Sequence, residues 1–335
     1  MKGPQTETEL EEYLSRPTEA DVAHAARLAG DVLILGAGGK MGPSLARLAK
    51  RSGARVAAVA RFTDRDLPAR LHADGIETIA CDMLEPGALA KLPDAANVIF
   101  MAARKFGTAG NEHLTWAMNT LLPGLVAERY REAKIVAFST GNVYPLTPVE
   151  SGGAAETMAP APVGEYAQSA LGRERMFEYG AARWGTKAAI LRLNYAVEMR
   201  YGVLADIGRA VLERRPVNLG MGFVNVIWQR DANSVALRAL SACANPPLIL
   251  NLTGPETLST REIAFGFGER FGVEPVFRGT EGSHALLNNA AKCHELFGHP
   301  TVSPEMLMDW IADWIKRGNS QWNKPTHFEV RDGKF

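Results

Sequence analysis

The sequence predicts an α/β fold, a doubly wound parallel sheet with a smaller C-terminal lid, and three observations carry that expectation. A β-type run, DVLIL, passes through the glycine loop GAGGKMG into a helix-forming segment over residues 31–51. Short apolar strands then alternate with helical stretches: VLILG, RVAAVA, IETIAC, NVIFMAA and KIVAFST. Residues 145–164 break this rhythm, and after Tyr201 the elements follow in irregular order.

Taken in order, residues 1–30 read as a helical extension, with Thr18 capping a helix to about Leu28. In the loop, Gly36, Gly39 and Gly42 stand three apart with Gly38 between them. Glycine lets the chain turn with positive φ and approach a ligand closely. The helix that follows aims its free N–H groups and positive dipole end into the loop, which makes a pyrophosphate site. The five strands are apolar without alternation, as parallel strands buried on both faces are. Such a sheet takes its ligand at the carboxyl ends of its strands, so residues 31–200 form the dinucleotide-binding domain. The 145–164 stretch, rich in Pro and Gly, is too long to be a plain connection and reads as functional. A helix over about 165–184 and the strand AAILRLN extend the sheet. Residues 201–320 read mainly as the lid, with some elements returning to the sheet. Its last helix has Ser303 as cap and Pro304 as first residue, and Leu307, Trp310, Ile311, Trp314 and Ile315 fall on one core-facing stripe. Residues 321–335 are a polar tail with no assigned role.

With 335 residues, 46% of them hydrophobic, the chain can bury a large core. Lys+Arg and Asp+Glu are both 37, which leaves no electrostatic footprint for nucleic acid or an anionic membrane. No apolar run reaches transmembrane length and the start, MKGPQTETELEEYL, is acidic rather than signal-like. Cys81, Cys243 and Cys293 are far apart and suit a reducing cytoplasm. No histidine pair has metal-ligand spacing, and no metal is expected.

The loop, the alternating half and the segment around Tyr166 together resemble the extended short-chain dehydrogenase/reductase family, the NAD-dependent epimerases and dehydratases, across most of residues 30–300. The resemblance implies a Rossmann fold. Gly36, Gly39 and Gly42 match its G-x-x-G-x-x-G loop, with Gly38, Lys40 and Met41 between them. In CDM, Asp82, followed by Met83, matches the acidic residue beside the adenine. In FMAA, Ala102 and Ala103 match the strand that runs along the cofactor, and Asn119 matches a bracing asparagine. STGNVY puts Thr140 where the family has its catalytic Ser or Thr, and EYAQSALGRE puts Tyr166 at the catalytic tyrosine. By that resemblance Tyr166 exchanges a proton with a substrate hydroxyl while hydride passes to or from a nicotinamide, and Thr140 orients the substrate oxygen.

One residue departs. The family pairs its tyrosine with a lysine four positions on, and here that position is Ala170. A tyrosine needs about three pKa units of depression, about 4 kcal/mol, to work near neutrality. Three readings stay open: a substitute cation (Lys105 or Arg104 on the loop after FMAA, or Arg173 one turn beyond Ala170), the charge of an oxidised nicotinamide acting by itself, or dinucleotide binding without turnover, as in a sensor module. The first is favoured, with Lys105 in the role.

At the end of the second strand Ala60 replaces the acidic residue of NAD-preferring members, and Arg61 follows. A guanidinium suits a 2′-phosphate, so NADP is expected ahead of NAD. Family members that take nucleotide-sugars tend to carry an arginine seven residues before an aspartate; seven before Asp231 is Val224. Asn194 lies one place before the family's usual asparagine, or Tyr195 replaces it. The acidic pair of the family's dehydratases is absent, with Gly141 and Asn142 in its place. A free sugar, sugar acid or polyol is therefore a candidate beside a nucleotide-sugar. Its candidate contacts are Asn142, Tyr144, Asn194, Tyr195, Trp228, Gln229 and Arg230. The long helices 111–131 and 165–184 are where the family dimerises.

Overall fold

The computed structural model describes residues 2–107, 110–322, 324 and 326–333. Its centre is a seven-stranded sheet of β1 (Val32–Leu35), β2 (Val56–Ala60), β3 (Glu77–Ala80), β4 (Asn97–Phe100), β5 (Lys134–Thr140), β6 (Lys187–Leu193) and β7 (Leu248–Leu252). The strands lie in the order β7-β6-β5-β4-β1-β2-β3, and every pairing is parallel. The order reverses at β1, so the doubly wound sheet has its switch point beside the glycine loop. Successive strand residues point to opposite faces. Val32, Ile34, Val56 and Ala58 pack with α3 (Gly42–Arg51), α4 (Leu67–Ala73) and α9 (Gln229–Arg238). Leu33, Leu35, Val98 and Phe100 pack instead with α6 (Leu122–Arg129) and α7 (Gly164–Trp184).

A second core sits over the carboxyl ends of the strands, built by α8 (Val203–Leu212), α10 (Thr260–Phe271) and α12 (Pro304–Lys316), while α11 (Ala291–Phe297) packs on the first core through Cys293. Trp228, Trp310 and Trp314 are buried in it, and the rings of Trp228 and Trp310 meet edge to face at 5.9 Å. The stripe on the last helix is therefore core, and so is Trp228.

The N-terminal extension forms α1 (Glu7–Ser15) and α2 (Glu19–Ala25), the latter closed by a capping box from Thr18. It joins the two cores. Leu10 and Leu14 enter the second core, while Glu11 pairs with Arg47 of α3 at 2.9 Å and with Arg200 at 2.8 Å. The 145–164 stretch is not structureless. Thr147–Pro148 pairs antiparallel with His284–Ala285, and Ala154 bridges to Asn288. Among the described residues no helix is long and apolar enough to cross a membrane.

Candidate functional site

The glycine loop forms where β1 ends. Gly36 adopts φ +97°, and a Cβ there would lie 2.5 Å from the backbone nitrogen of Ala102. Gly42 packs so closely on the Ala37 carbonyl that any side chain would displace the start of α3. Helices α1, α2, α10 and α12 are capped by the side chains of Thr6, Thr18, Ser259 and Ser303. At α3 the cap position is Met41, which supplies no side-chain hydrogen bond. The first N–H groups of α3 thus face the loop, where the helix dipole favours an anion.

Two cavities open from this loop. One, of about 210 Å³, is lined by Gly36, Gly38, Gly39, Arg61, Asp82, Met83, Ala102 and Ala103. Every one of those residues is a predicted cofactor contact. At its far end the Arg61 guanidinium stands 3.8 Å from the Asp82 carboxylate. The other cavity, of about 170 Å³, has Lys40, Met41, Lys105, Thr140 and Tyr166 in its wall, with Asn142, Asn194, Tyr195 and Gln229. A loop with an uncapped helix end, flanked by an elongated groove on one side and a polar pocket on the other, fits a dinucleotide phosphate bridge with a nucleoside to either side.

Asn119 sets the geometry of the second cavity. It lies in a π-helical turn (Ala117–Leu121) between α5 (Glu112–Trp116) and α6, the kind of irregularity that recurs at functional sites. Its side chain accepts from the Arg104 N–H (2.9 Å) and donates to the Arg104 carbonyl (2.9 Å) and to Ser169 Oγ (3.0 Å). The loop that carries Lys105 is thereby tied to the helix that carries Tyr166. Lys105 Nζ stands 5.8 Å from the centroid of the Tyr166 ring. Thr140 donates to Asn142 Oδ1 (3.1 Å) and accepts from the Asn142 N–H (3.2 Å), which leaves its oxygen a lone pair for a substrate hydroxyl.

Two lysines share the pocket. Burial, helped by the nearby Lys105 ammonium, draws the Lys40 pKa down to about 6, against the partial opposition of Glu198 and Asp206. Burial alone draws Lys105 down to about 8. Lys40 Nζ sits over the ring of Tyr201, 2.7 Å from its centroid.

The side chain at 170 has another task. Ala170 is fully buried with Val143, Tyr144 and Ala154 in an apolar cluster. Arg173 and Arg104 are held by hydrogen bonds to main-chain and side-chain oxygens. Arg173, itself buried, donates to the Phe138 carbonyl (2.7 Å) and Asn119 Oδ1 (2.9 Å), and Arg104 donates to the Gly107 carbonyl (2.8 Å).

Three predicted substrate contacts lie outside the cavity. Tyr144 is buried in a network in which Arg192 holds its hydroxyl at 2.5 Å and Asn251 accepts from it at 3.0 Å. Arg192 in turn makes a bidentate pair with Glu174, both side chains nearly inaccessible. Trp228 is core. Arg230 ties the extension down, with Nε donating to the Arg16 carbonyl (2.8 Å) and its guanidinium near Asp21 (3.6 Å). The sequence reading missed Ser139, Tyr201 and Thr326, which also line the cavity. Tyr201 and Thr326 sit outside any motif, and Ser139 adjoins Thr140, the only local signal for it. Among the described residues no group of three or more His, Cys, Asp or Glu could hold a metal ion.

No curated protein matches the sequence. Among solved structures, UDP-glucose 4-epimerase from Thermotoga maritima superposes with a TM-score of 0.71 at 17% identity, covering 86% of this chain and 99% of its own. UDP-glucuronic acid 4-epimerase from Bacillus cereus, in complex with NAD, gives 0.73 at 20% identity, over 86% and 97%. UDP-glucose 4-epimerase from Thermus thermophilus, also with NAD, gives 0.72 at 20%, over 85% and 99%. At such identities the likeness is one of fold. Residues 32–197, from β1 to four residues past β6, match the family described as NAD dependent epimerase/dehydratase, and this dinucleotide-binding part of the chain belongs to that family.

Proposed function

We propose that the protein is an NAD(P)-dependent oxidoreductase or epimerase acting on a hydroxyl or ketone of a carbohydrate-like substrate. The observation that carries this reading is that Tyr166, Thr140 and Lys105 share one cavity at the end of the glycine loop. A binder without turnover has no use for a tyrosine and a threonine facing the same pocket. The structural neighbours with NAD in their complexes are epimerases of nucleotide-sugars, which supports the reaction class.

The N–H groups of the loop and of α3 would hold the phosphates, with Arg61, Asp82 and Met83 around the adenosine and Ala102 and Ala103 along its course. The chemistry supplied by a nicotinamide bound there is hydride exchange with a substrate carbon. Tyr166 takes or returns the hydroxyl proton, Thr140 accepts a hydrogen bond from the substrate, and the Lys105 ammonium stabilises the phenolate. Arg61, on the rim of its groove, is the residue suited to a 2′-phosphate, so NADP is the preferred cofactor in this reading. Replacing Arg61 by Ala should cost NADPH about tenfold to a hundredfold in affinity, the worth of a charged hydrogen bond, and leave NADH unchanged; equal losses for both refute the preference. The exposed Leu114, Trp116, Leu121, Leu125 and Tyr179 lie on the helices where the family dimerises, so a homodimer is proposed, testable by sedimentation of Leu121→Glu.

Binding of NADPH and NADH, followed by nicotinamide fluorescence, and a turnover screen of sugars, sugar acids, polyols and UDP-sugars test the assignment. Cofactor binding without turnover of any of these would favour the sensor reading, which the apolar cluster at Ala170 independently supports.

A further inference from the structure

We propose that the C-terminal segment through Trp322, Thr326, Phe328 and Arg331 roofs the substrate cavity, and that Thr326 is a substrate-contacting residue that limits the substrate to a small hydroxylated molecule of monosaccharide size, without a nucleotide. This rests on the oxidoreductase reading and names its substrate class.

The tail is polar, yet it is anchored like structure. The Thr326 N–H and hydroxyl both donate to Asp206 Oδ2 (2.8 and 2.7 Å), and Arg209 holds the other oxygen of that carboxylate at 2.6 Å. Phe328 is buried in the second core, and the Phe328 carbonyl accepts from the hydroxyl of Tyr195, a residue of the cavity wall (3.4 Å). Trp322 packs on Tyr201, another wall residue, with ring centroids 6.2 Å apart, and the Arg200 guanidinium lies over Trp322 at 5.0 Å. Arg331 donates to the carbonyls of Gly220 (2.8 Å) and His284 (3.0 Å). Beyond it, Gly333 meets Gly164 at the start of α7, backbone to backbone, with no room for a side chain at either position. The His327 ring lies 6.1 Å from Phe106, next to Lys105. The segment therefore touches the second core, the loop of Lys105 and the helix of Tyr166. Asn323, Pro325, Lys334 and Phe335 lie outside the described residues.

Two consequences follow for the ligand. The hydroxyl proton of Thr326 is committed to Asp206, so toward the cavity its oxygen offers lone pairs and recognises a donor, a substrate hydroxyl rather than a carbonyl. Under this roof the cavity is about 170 Å³, whereas pockets for drug-sized ligands start at about 300 Å³. Val224, where an arginine for the diphosphate is expected, is fully buried in the second core.

The test labels Lys40, in the wall of the roofed cavity, with acetic anhydride and with the bulky sulfo-NHS-biotin, mapped by peptide mass spectrometry. In the full chain Lys40 should be acetylated but biotinylated about tenfold less than exposed Lys2, because the larger reagent needs a local opening. Asp206→Ala with Arg331→Ala, which releases the roof, should restore biotinylation of Lys40. With NAD⁺ present, UDP-glucose should give no saturation-transfer signal on the full chain. Equal labelling of Lys40 by both reagents, or UDP-glucose binding to the full chain, overturns the proposal; neither measurement needs a variant to fold. Failure of NADP⁺ to protect Lys40 from acetylation counts instead against the dinucleotide reading, so the two failures are separable.

Discussion

Replacing Lys105 by Met removes one ammonium and keeps an unbranched side chain of similar length. The ammonium stands 5.8 Å from the centre of the Tyr166 ring. At an effective dielectric of about 20, a unit charge at about 6 Å favours the phenolate by about 2.8 kcal/mol. Lys105→Met should therefore lower kcat at pH 7 by about 100-fold. The assay is steady-state turnover on the best substrate from the screen, from pH 5.5 to 9.5, beside cofactor affinity by NADPH fluorescence. Burial holds Lys105 itself near 8, so its charge is lost above that pH and the two rate profiles should converge there. Unchanged kcat and an unmoved profile refute the assignment. An affinity loss as large as the loss in kcat shows that Lys105 holds the cofactor and does not act on Tyr166.

The same electrostatics predict a stability slope. The pKa of Lys40 lies near 6 in the fold against a reference of 10.5, so between those values the unfolded chain binds more protons and stability of the cofactor-free protein rises with pH. Lys40→Met removes this penalty: its melting temperature should exceed the wild type's at pH 6.5 and match it near pH 10.5, and a gain independent of pH contradicts the argument. Glu174→Gln leaves the Arg192 guanidinium buried beside a neutral amide and should destabilise by about 3–5 kcal/mol in urea titrations, the cost of breaking a buried pair. A loss below about 1 kcal/mol would mean that water reaches the pair.

The glycine loop, the strand series and the Tyr166 helix were legible because each is specified locally. Gly36 and Gly42 are set by backbone conformation and close approach, Val32–Leu35 by burial on two faces, and Ser303 and Pro304 by the needs of a helix start. The groove residues from Gly36 to Ala103 were readable because the loop, CDM and FMAA resemble family motifs, and they sit at neighbouring strand ends. Tyr144, Trp228 and Arg230 read as polar or aromatic groups near a motif, but whether such a group faces a cavity or a partner depends on residues far away in sequence. Tyr144 is claimed by Arg192 and Asn251, Trp228 by Trp310, and Arg230 by Arg16 and Asp21.

By itself the sequence determined the sheet, the helix at the loop and the absence of lysine at position 170, since these depend on neighbours within a few residues. Only the tertiary structure decided that an apolar cluster occupies the surroundings of Ala170, that Lys40 and Lys105 share one pocket, and that Thr326 of the tail lines it. Lys40 and Thr326 are 286 positions apart in the numbering, and the sequence carries no local mark of their meeting. Burial and charge coupling are properties of packed surfaces, set once the two cores have closed on each other.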